Sequence, residues 1–437
     1  MAKDKSQRLN KVERSWVMYD WANSVYATNI MAAIFPIYFA AVVGDKSDMW
    51  WGYGTSIATL VSAILAPLLG AIADYKGMKK KLLFISMMVG VVFTATMALT
   101  DNWKLMLVGY VISYIGFNVS CLFYDSFLTD VTTEDRMDKV SGWGYAMGYI
   151  GGSTIPFVGS IAILMWLGFD NPLGVKIAVL ITSVWWLLFS IPILKNVKQI
   201  HYIEKGSHAV RQTLGGVWNT LKAIVKNKAV LIFILAYFFY IDGVGTVISM
   251  ATIYGATLGL DSTGMILALL VTQIVAVFFS ILFSKLASKG RTLKMIGTAV
   301  VIYIIICCVG FYMGFLVEQN ELGKWNSSID AMQLANILFW AMAVLVGTVQ
   351  GGIQSLSRSY FGKLVPPERS NEFFGFFDIF GKFASVIGPF LYAIISDLTG
   401  RASFGIAGIS LLFFVGGLLL LFGRKTLKTA QRIESVE

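Results

Sequence analysis

The sequence predicts an all-α integral membrane protein with twelve transmembrane helices in two six-helix bundles. Three observations carry that expectation. Twelve apolar stretches of about 20 residues or more follow one another with short polar hinges between them, and a hydrocarbon core about 30 Å thick takes roughly 20 helical residues to cross. Hydrophobic residues make up 57% of the chain and charged residues 14%, with a mean hydropathy of +0.71, whereas soluble chains carry about 25% charged residues. One long interior polar stretch, 196–228, splits the apolar stretches six and six. Lipid offers the backbone no water, so each stretch must bond internally as a helix.

In chain order, the spans are expected at 16–43, 52–74, 82–100, 105–128, 142–166, 175–195, 229–258, 262–284, 293–317, 330–356, 372–396 and 403–423. Residues 1–14 are polar and basic, and the first apolar stretch is too long for a signal core, so no cleaved leader is expected. The domains follow: 1–195 as the N-terminal bundle, 196–228 as a linker, 229–437 as the C-terminal bundle with a short tail. Within the linker, Val210, Leu214, Val217, Trp218, Leu221, Ile224 and Val225 recur at helical spacing, interleaved with Arg211, Lys222, Lys226 and Lys228. That pattern fits an amphipathic connector helix lying on the membrane face.

The net charge is +10, but its distribution argues against nucleic acid as a partner. Segments on the N-terminal side of the membrane hold 29 of the 35 Lys and Arg, and the opposite loops hold only Lys46, Lys104, Lys176, Lys324 and Arg401. This positive-inside bias places both termini in the cytoplasm of a multi-pass protein of the cell (inner) membrane, with anionic lipid as neighbour. The partners expected are the bilayer, a small-molecule substrate and, in a coupled mechanism, protons; the working unit expected is a monomer. Cys121, Cys307 and Cys308 lie inside spans and read as packing residues. His201 and His208 fall in the linker without ligand-spaced partners and read as solvated loop residues. No metal site and no cofactor are expected.

The two halves repeat each other. A shift of 233 residues places Arg136 on Arg369, Gly142 on Gly375, Gly148 on Gly381 and Pro156 on Pro389, so the hinge before span 5 and the span itself match those at span 11. A second shift places Gly77 on Gly290 and Lys81 on Lys294, in the hinges after spans 2 and 8. Paired bundles with a site at their interface are a common plan of secondary transporters.

The end of span 2 reads GAIADYKGMKKK, with Gly70, Asp74, Gly77, Lys79 and Lys80 at a spacing that resembles the hinge signature of major facilitators. Gly70 allows close helix approach, Gly77 a tight turn, and Asp74 can accept from a neighbouring helix N-terminus. Tyr75 departs from the signature, which has a basic residue there, and Ala287 stands where the second-half aspartate would be, so an asymmetric hinge latch is expected. Span 1 opens with YDWANSVYATNI, and the hinge between spans 10 and 11 reads QGGIQSLSRSYFGKLVPPERSNEFFGFFDIFGKFASVIGP. Both resemble the "unknown major facilitator" family, which is similar to the fungal vacuolar amino-acid effluxers linked to autophagy. The resemblance covers nearly the whole chain. It implies the major facilitator fold and alternating access, and its fungal members imply amino-acid export.

Ionisable groups at membrane depth are costly and point to function. Asp20 and Asp125 lie towards the ends of spans 1 and 4, Asp242 in the middle of span 7, and Asp378 and Lys382 one turn apart in span 11. The four aspartates are candidates for proton coupling, Asp242 first among them because its own helix offers no base. Lys382 is a candidate for the anionic end of a substrate. Asn23, Tyr26 and Asn29 in span 1, with Asn118, Tyr145, Tyr240, Gln273 and Gln350, are further candidates for substrate contact, each competing with a role as helix glue. Gly70, Asp74, Gly77, Arg136 and Arg369 are the gating candidates. These readings amount to a proton-linked or facilitative carrier of a small polar organic solute. The rivals are an exporter of amphipathic or lipid-like compounds and a receptor that does not transport. An enzyme would need a nucleophile–base pair or a metal site, and the spans contain no histidine.

Overall fold

The computed structural model describes residues 8–430 apart from 45, 154, 169–170, 205–208 and 289. His208 therefore lies outside the described residues. Every predicted apolar stretch is a helix. Twelve are long and apolar enough to cross a membrane: Lys11–Val43, Met49–Ala73, Met78–Met97, Trp103–Val131, Met137–Leu167, Pro172–Asn196, Lys228–Thr257, Leu267–Ala287, Thr292–Glu321, Ala331–Leu364, Pro367–Thr399 and Ala402–Phe422. They are spans 1 to 12 below.

Local chemistry sets where these helices begin. Asn10 and Glu13 close a reciprocal capping box at the start of span 1. Asn102, Asn171 and Asn227 accept from the first free amides of spans 4, 6 and 7. A side-chain oxygen at this position satisfies donors that have no partner inside the helix. Gly77 begins span 3 at φ 73° and Gly290 takes φ 75° in the matching hinge of the second half, a left-handed conformation that costs glycine nothing. Span 1 is irregular: it widens to a π-helix over Tyr26–Ala32 and resumes as Ile34–Val43. The break ends four residues before Pro36, whose missing N–H leaves the Ala32 carbonyl without its helical donor.

The described chain groups into two compact units. The first runs to Ala223 and also takes in Val365–Asp378, the hinge and opening turns of span 11. The second comprises Ile224–Leu364 and the chain from Ile379 on. Each unit carries the same internal bond. In the first, the Tyr26 hydroxyl of span 1 meets Ser113 Oγ of span 4 at 2.7 Å. In the second, the Tyr240 hydroxyl of span 7 meets Ser357 Oγ of span 10 at 2.7 Å. The first and fourth helices of each half are thus joined alike, a structural counterpart of the sequence repeat.

Candidate functional site

A dense polar constellation lies in the first unit, where the hinge after span 2 receives the start of span 11. Asp74 follows the last turn of span 2 and is 1% exposed. Its Oδ1 accepts from Asn371 N at 3.0 Å and Asn371 Nδ2 at 2.7 Å, and its Oδ2 accepts from Glu372 N at 3.0 Å. Helix Ser370–Thr399 begins here, so both amides belong to a first turn that has no acceptors of its own. Asp74 supplies them from another helix. Burial pushes its carboxyl up to about 7, against the pull of Lys79 and of the Asn371 donors. Gly70, one turn earlier, makes the approach possible: a Cβ there would stand 2.5 Å from the Asn371 carbonyl oxygen.

A buried ion pair sits beside this contact. Lys79 Nζ donates to Asp130 Oδ2 at 2.7 Å, with both side chains 0% exposed. The same ammonium reaches Ser370 Oγ at 3.0 Å, and Thr129 Oγ1 bonds that hydroxyl at 3.2 Å. The Asn371 side-chain oxygen lies against Ser126 Oγ. Span 11 therefore starts on a surface built from the ends of spans 2, 3 and 4.

The two repeat-related arginines brace the hinges next to this surface. Arg369 donates to Glu372 at 2.9 Å and to Thr220 of the linker helix at 3.0 Å. Arg136 holds Glu13 through two bonds of 2.7 Å and reaches the Arg8 carbonyl at 3.0 Å, tying the hinge before span 5 to the start of span 1. Thr132 adds a bond to Glu13 at 2.7 Å.

The polar candidates inside the spans fall into two groups. In the first unit, Asp20 is half-buried and accepts from the Tyr124 hydroxyl at 2.6 Å. Asn23 approaches Cys121 Sγ at 3.5 Å, and Asn118 approaches Ser62 Oγ at 3.5 Å. Asn29, at the centre of the π-helical break, donates to Ser160 at 3.1 Å and to Thr182 at 2.9 Å; its Oδ1 is buried without a partner among the described residues. Asp125 and Tyr145 are half-buried. In the second unit, both oxygens of the buried Asp242 lie 3.0 Å from Gly388 N of span 11. A Cβ on Gly388 would fall 1.9 Å from Thr246 Oγ1 and 3.0 Å from Asp242 Oδ1, so the glycine leaves room for this close approach. Gln350 is buried and Gln273 half-buried. Asp378 and Lys382 are both half-buried on span 11, with the division between the units falling after Asp378.

Comparison with known proteins identifies the assembly. The family model described as "Vacuole effluxer Atg22 like" matches residues 50–428. The chain belongs to this Atg22-like family. The "Uncharacterized MFS-type transporter YxiO" of Bacillus subtilis is 43% identical over 431 residues, 95% of each chain. An "Autophagy-related protein 22" of Eremothecium gossypii is 25% identical over 394 residues, 84% of this chain and 75% of that one. Among solved structures, the human organic anion transporter MFSD10 (TETRAN) superimposes with a TM-score of 0.69 at 13% identity, covering 94% of this chain and 99% of that one. The proton:xylose symporter XylE gives 0.69 at 12% identity, covering 97% of each. The Atg22-like chain thus has the twelve-helix major facilitator fold. It is a multi-pass membrane protein and an MFS-type transporter rather than an enzyme.

Two residues of the Atg22-like site correct or extend the sequence reading. His201 is not merely a solvated loop residue: its backbone N–H donates to Asp130 Oδ1 at 2.8 Å and its ring nitrogen lies 3.2 Å from the same oxygen. Asp130 itself was not singled out by sequence, although it stands five residues after Asp125 near the end of the same span. The signal that could have found it is the second basic position of the hinge signature. A buried Lys79 needs a carboxylate partner, and Asp130 is an acidic residue at the end of the neighbouring span 4.

Proposed function

We propose that this chain is a secondary active transporter that moves a small polar organic solute, an amino acid or related metabolite, across the membrane by alternating access. The observation that carries the proposal is the seating of span 11 on Asp74. A carrier must hold one access state shut through contacts that can be released as a set. Three polar bonds converging on one carboxylate suit that task, because each donor and acceptor finds water once they part. Asp74, Gly70, Gly77 and Arg369 are assigned to this latch, and Arg136 to the brace on span 1.

The resemblance to fungal amino-acid effluxers supports the solute class. The unpartnered Asn29 Oδ1 suits the ammonium of such a solute, with Asn23, Tyr26, Asn118, Tyr145, Tyr240, Gln273 and Gln350 as further polar contacts and Lys382 for its carboxylate. Asp242 is assigned the coupling proton ahead of Asp20, Asp125 and Asp378. The charge distribution supports a location in the cell membrane with both termini cytoplasmic, and labelling of position 208 by an impermeant thiol reagent from outside intact cells would contradict that orientation.

The test is a thermal-shift screen of the purified chain against amino acids and related metabolites, followed by flux of each hit in liposomes. Saturable flux of at least one stabilising solute is expected. Hits that bind without crossing would replace the transporter reading with that of a receptor.

A further inference from the structure

The linker begins with a segment, residues 197–204, that does far more than connect. The last carbonyls of span 2 have no acceptor role left inside their helix. The linker satisfies them: Ile203 N donates to the Asp74 carbonyl at 2.8 Å, and Gln199 Nε2 donates to the Ala73 carbonyl at 3.0 Å. Ile203 also pairs with Tyr75 as a parallel bridge and accepts from Lys76 N at 3.2 Å. At the start of the segment, the Val197 carbonyl accepts from Lys80 Nζ at 2.9 Å. Ile200 N and His201 N converge on Asp130 Oδ1 at 2.9 and 2.8 Å, with the His201 ring nitrogen at 3.2 Å.

The two ends of this set are the two groups that receive span 11. Gln199 and Ile203 hold the turn that carries Asp74. Ile200 and His201 occupy one oxygen of Asp130 and leave the other for Lys79, which in turn reaches Ser370. A plain connector between bundles needs none of these bonds. The surface pair Lys76–Glu204, exposed on both sides, contributes little by comparison; the segment is held by backbone donors and by a buried carboxylate.

We propose that residues 197–204 are a strap belonging to the gate, with His201 and Gln199 as positioning residues that keep Asp130, Lys79 and the Asp74 turn in register for span 11. The proposal rests on the latch reading of Asp74 given above. Displacing the strap withdraws three donors from Asp130 and frees the Asp74 turn, so the linker controls how firmly span 11 seats.

The experiment is hydrogen–deuterium exchange of the full-length protein in lipid nanodiscs at pH 6, read on peptides covering 370–376. The amides of Asn371 and Glu372 take their protection from Asp74, which makes them direct reporters of the latch. Loss of a bond to a buried charged group costs enough to shift an equilibrium tenfold or more. His201→Pro should therefore speed exchange at 371–372 by about tenfold or more, and Gln199→Ala, whose bond is to a neutral carbonyl, by about two- to tenfold. His201→Asn, which keeps both the backbone N–H and a side-chain donor, should restore most of the protection. Exchange in spans 7 and 8 should stay as in the parent, separating the effect from general unfolding. If His201→Pro fails to fold, Gln199→Ala and His201→Ala decide the matter. Asp74→Ala is the control. If it leaves exchange at 371–372 unchanged, the latch reading fails and the strap falls with it. If it speeds exchange while the strap variants do not, the latch stands and the strap proposal is overturned.

Discussion

Removing the acceptor at Asp74 should loosen the gate by an amount that the bonding pattern sets. Asp74→Ala leaves Asn371 N, Asn371 Nδ2 and Glu372 N without partners in the seated state. Each buried donor left unmet costs about 1–3 kcal/mol, and all three are hydrated once span 11 lifts away. The seated state should therefore lose at least about 3 kcal/mol, more than a hundredfold in its population ratio. Asp74→Asn is milder. Its oxygen keeps the two Asn371 bonds, but its NH2 faces the Glu372 amide, a single unmet donor worth about 1–3 kcal/mol, or roughly 5- to 150-fold. A protonated aspartate escapes this cost because both of its oxygens still accept. The assay is maleimide labelling at pH 6 of a single cysteine at Ala66, a buried residue whose carbonyl faces Gly375 of span 11, with Cys121, Cys307 and Cys308 replaced. Labelling should be fastest in Asp74→Ala, intermediate in Asp74→Asn and slowest in the parent. Equal rates in all three would refute the reasoning.

Other perturbations follow from the same geometry. Gly70→Ala places a methyl 2.5 Å from the Asn371 carbonyl oxygen; it should speed Ala66→Cys labelling while leaving every Asp74 bond chemically intact. The Asp74 carboxyl is raised to about 7 when seated, so the seated state binds the proton more tightly than the open one. Its stabilisation is complete below the ordinary carboxylate range near pH 4 and is lost as pH rises through about 7, so the melting-temperature advantage of the parent over Asp74→Asn should shrink between pH 6 and pH 8. Lys79→Met strands the Asp130 charge in a buried site and should cost about 3–5 kcal/mol of stability, with Lys79→Met/Asp130→Asn, which removes that charge and keeps an oxygen for Ile200 N and His201 N, recovering much of the loss in thermal denaturation. Asp242→Asn should abolish pH-driven accumulation of the solute but retain exchange, measured in liposomes; full accumulation in that variant would remove Asp242 from the coupling role.

The parts of this molecule that were legible in its sequence are those that depend on local composition. Apolar length alone places the twelve spans, because lipid leaves a polar backbone no choice but the helix. Asp74, Gly70 and Gly77 were legible because the short stretch 70–77 holds all three at fixed spacing, and the positive φ of Gly77 and Gly290 repeats in matching hinges. What was hidden depends on residues distant in sequence. Lys79 and Ser370 meet across 291 positions, and no periodicity announces such a pair. The strap was hidden for another reason: its bonds come mostly from backbone groups, which look the same in every residue, so His201 read as an ordinary loop histidine. The π-helical break at Tyr26–Ala32 was also silent, although Pro36 was its local cause.

A solute should cross only when span 11 can seat on Asp74 and leave it again. The most direct test compares, for one solute identified by thermal shift, its binding and its liposome flux in the parent and in Asp74→Ala. The variant should still bind the solute but lose most of its flux. Flux equal to that of the parent would contradict it.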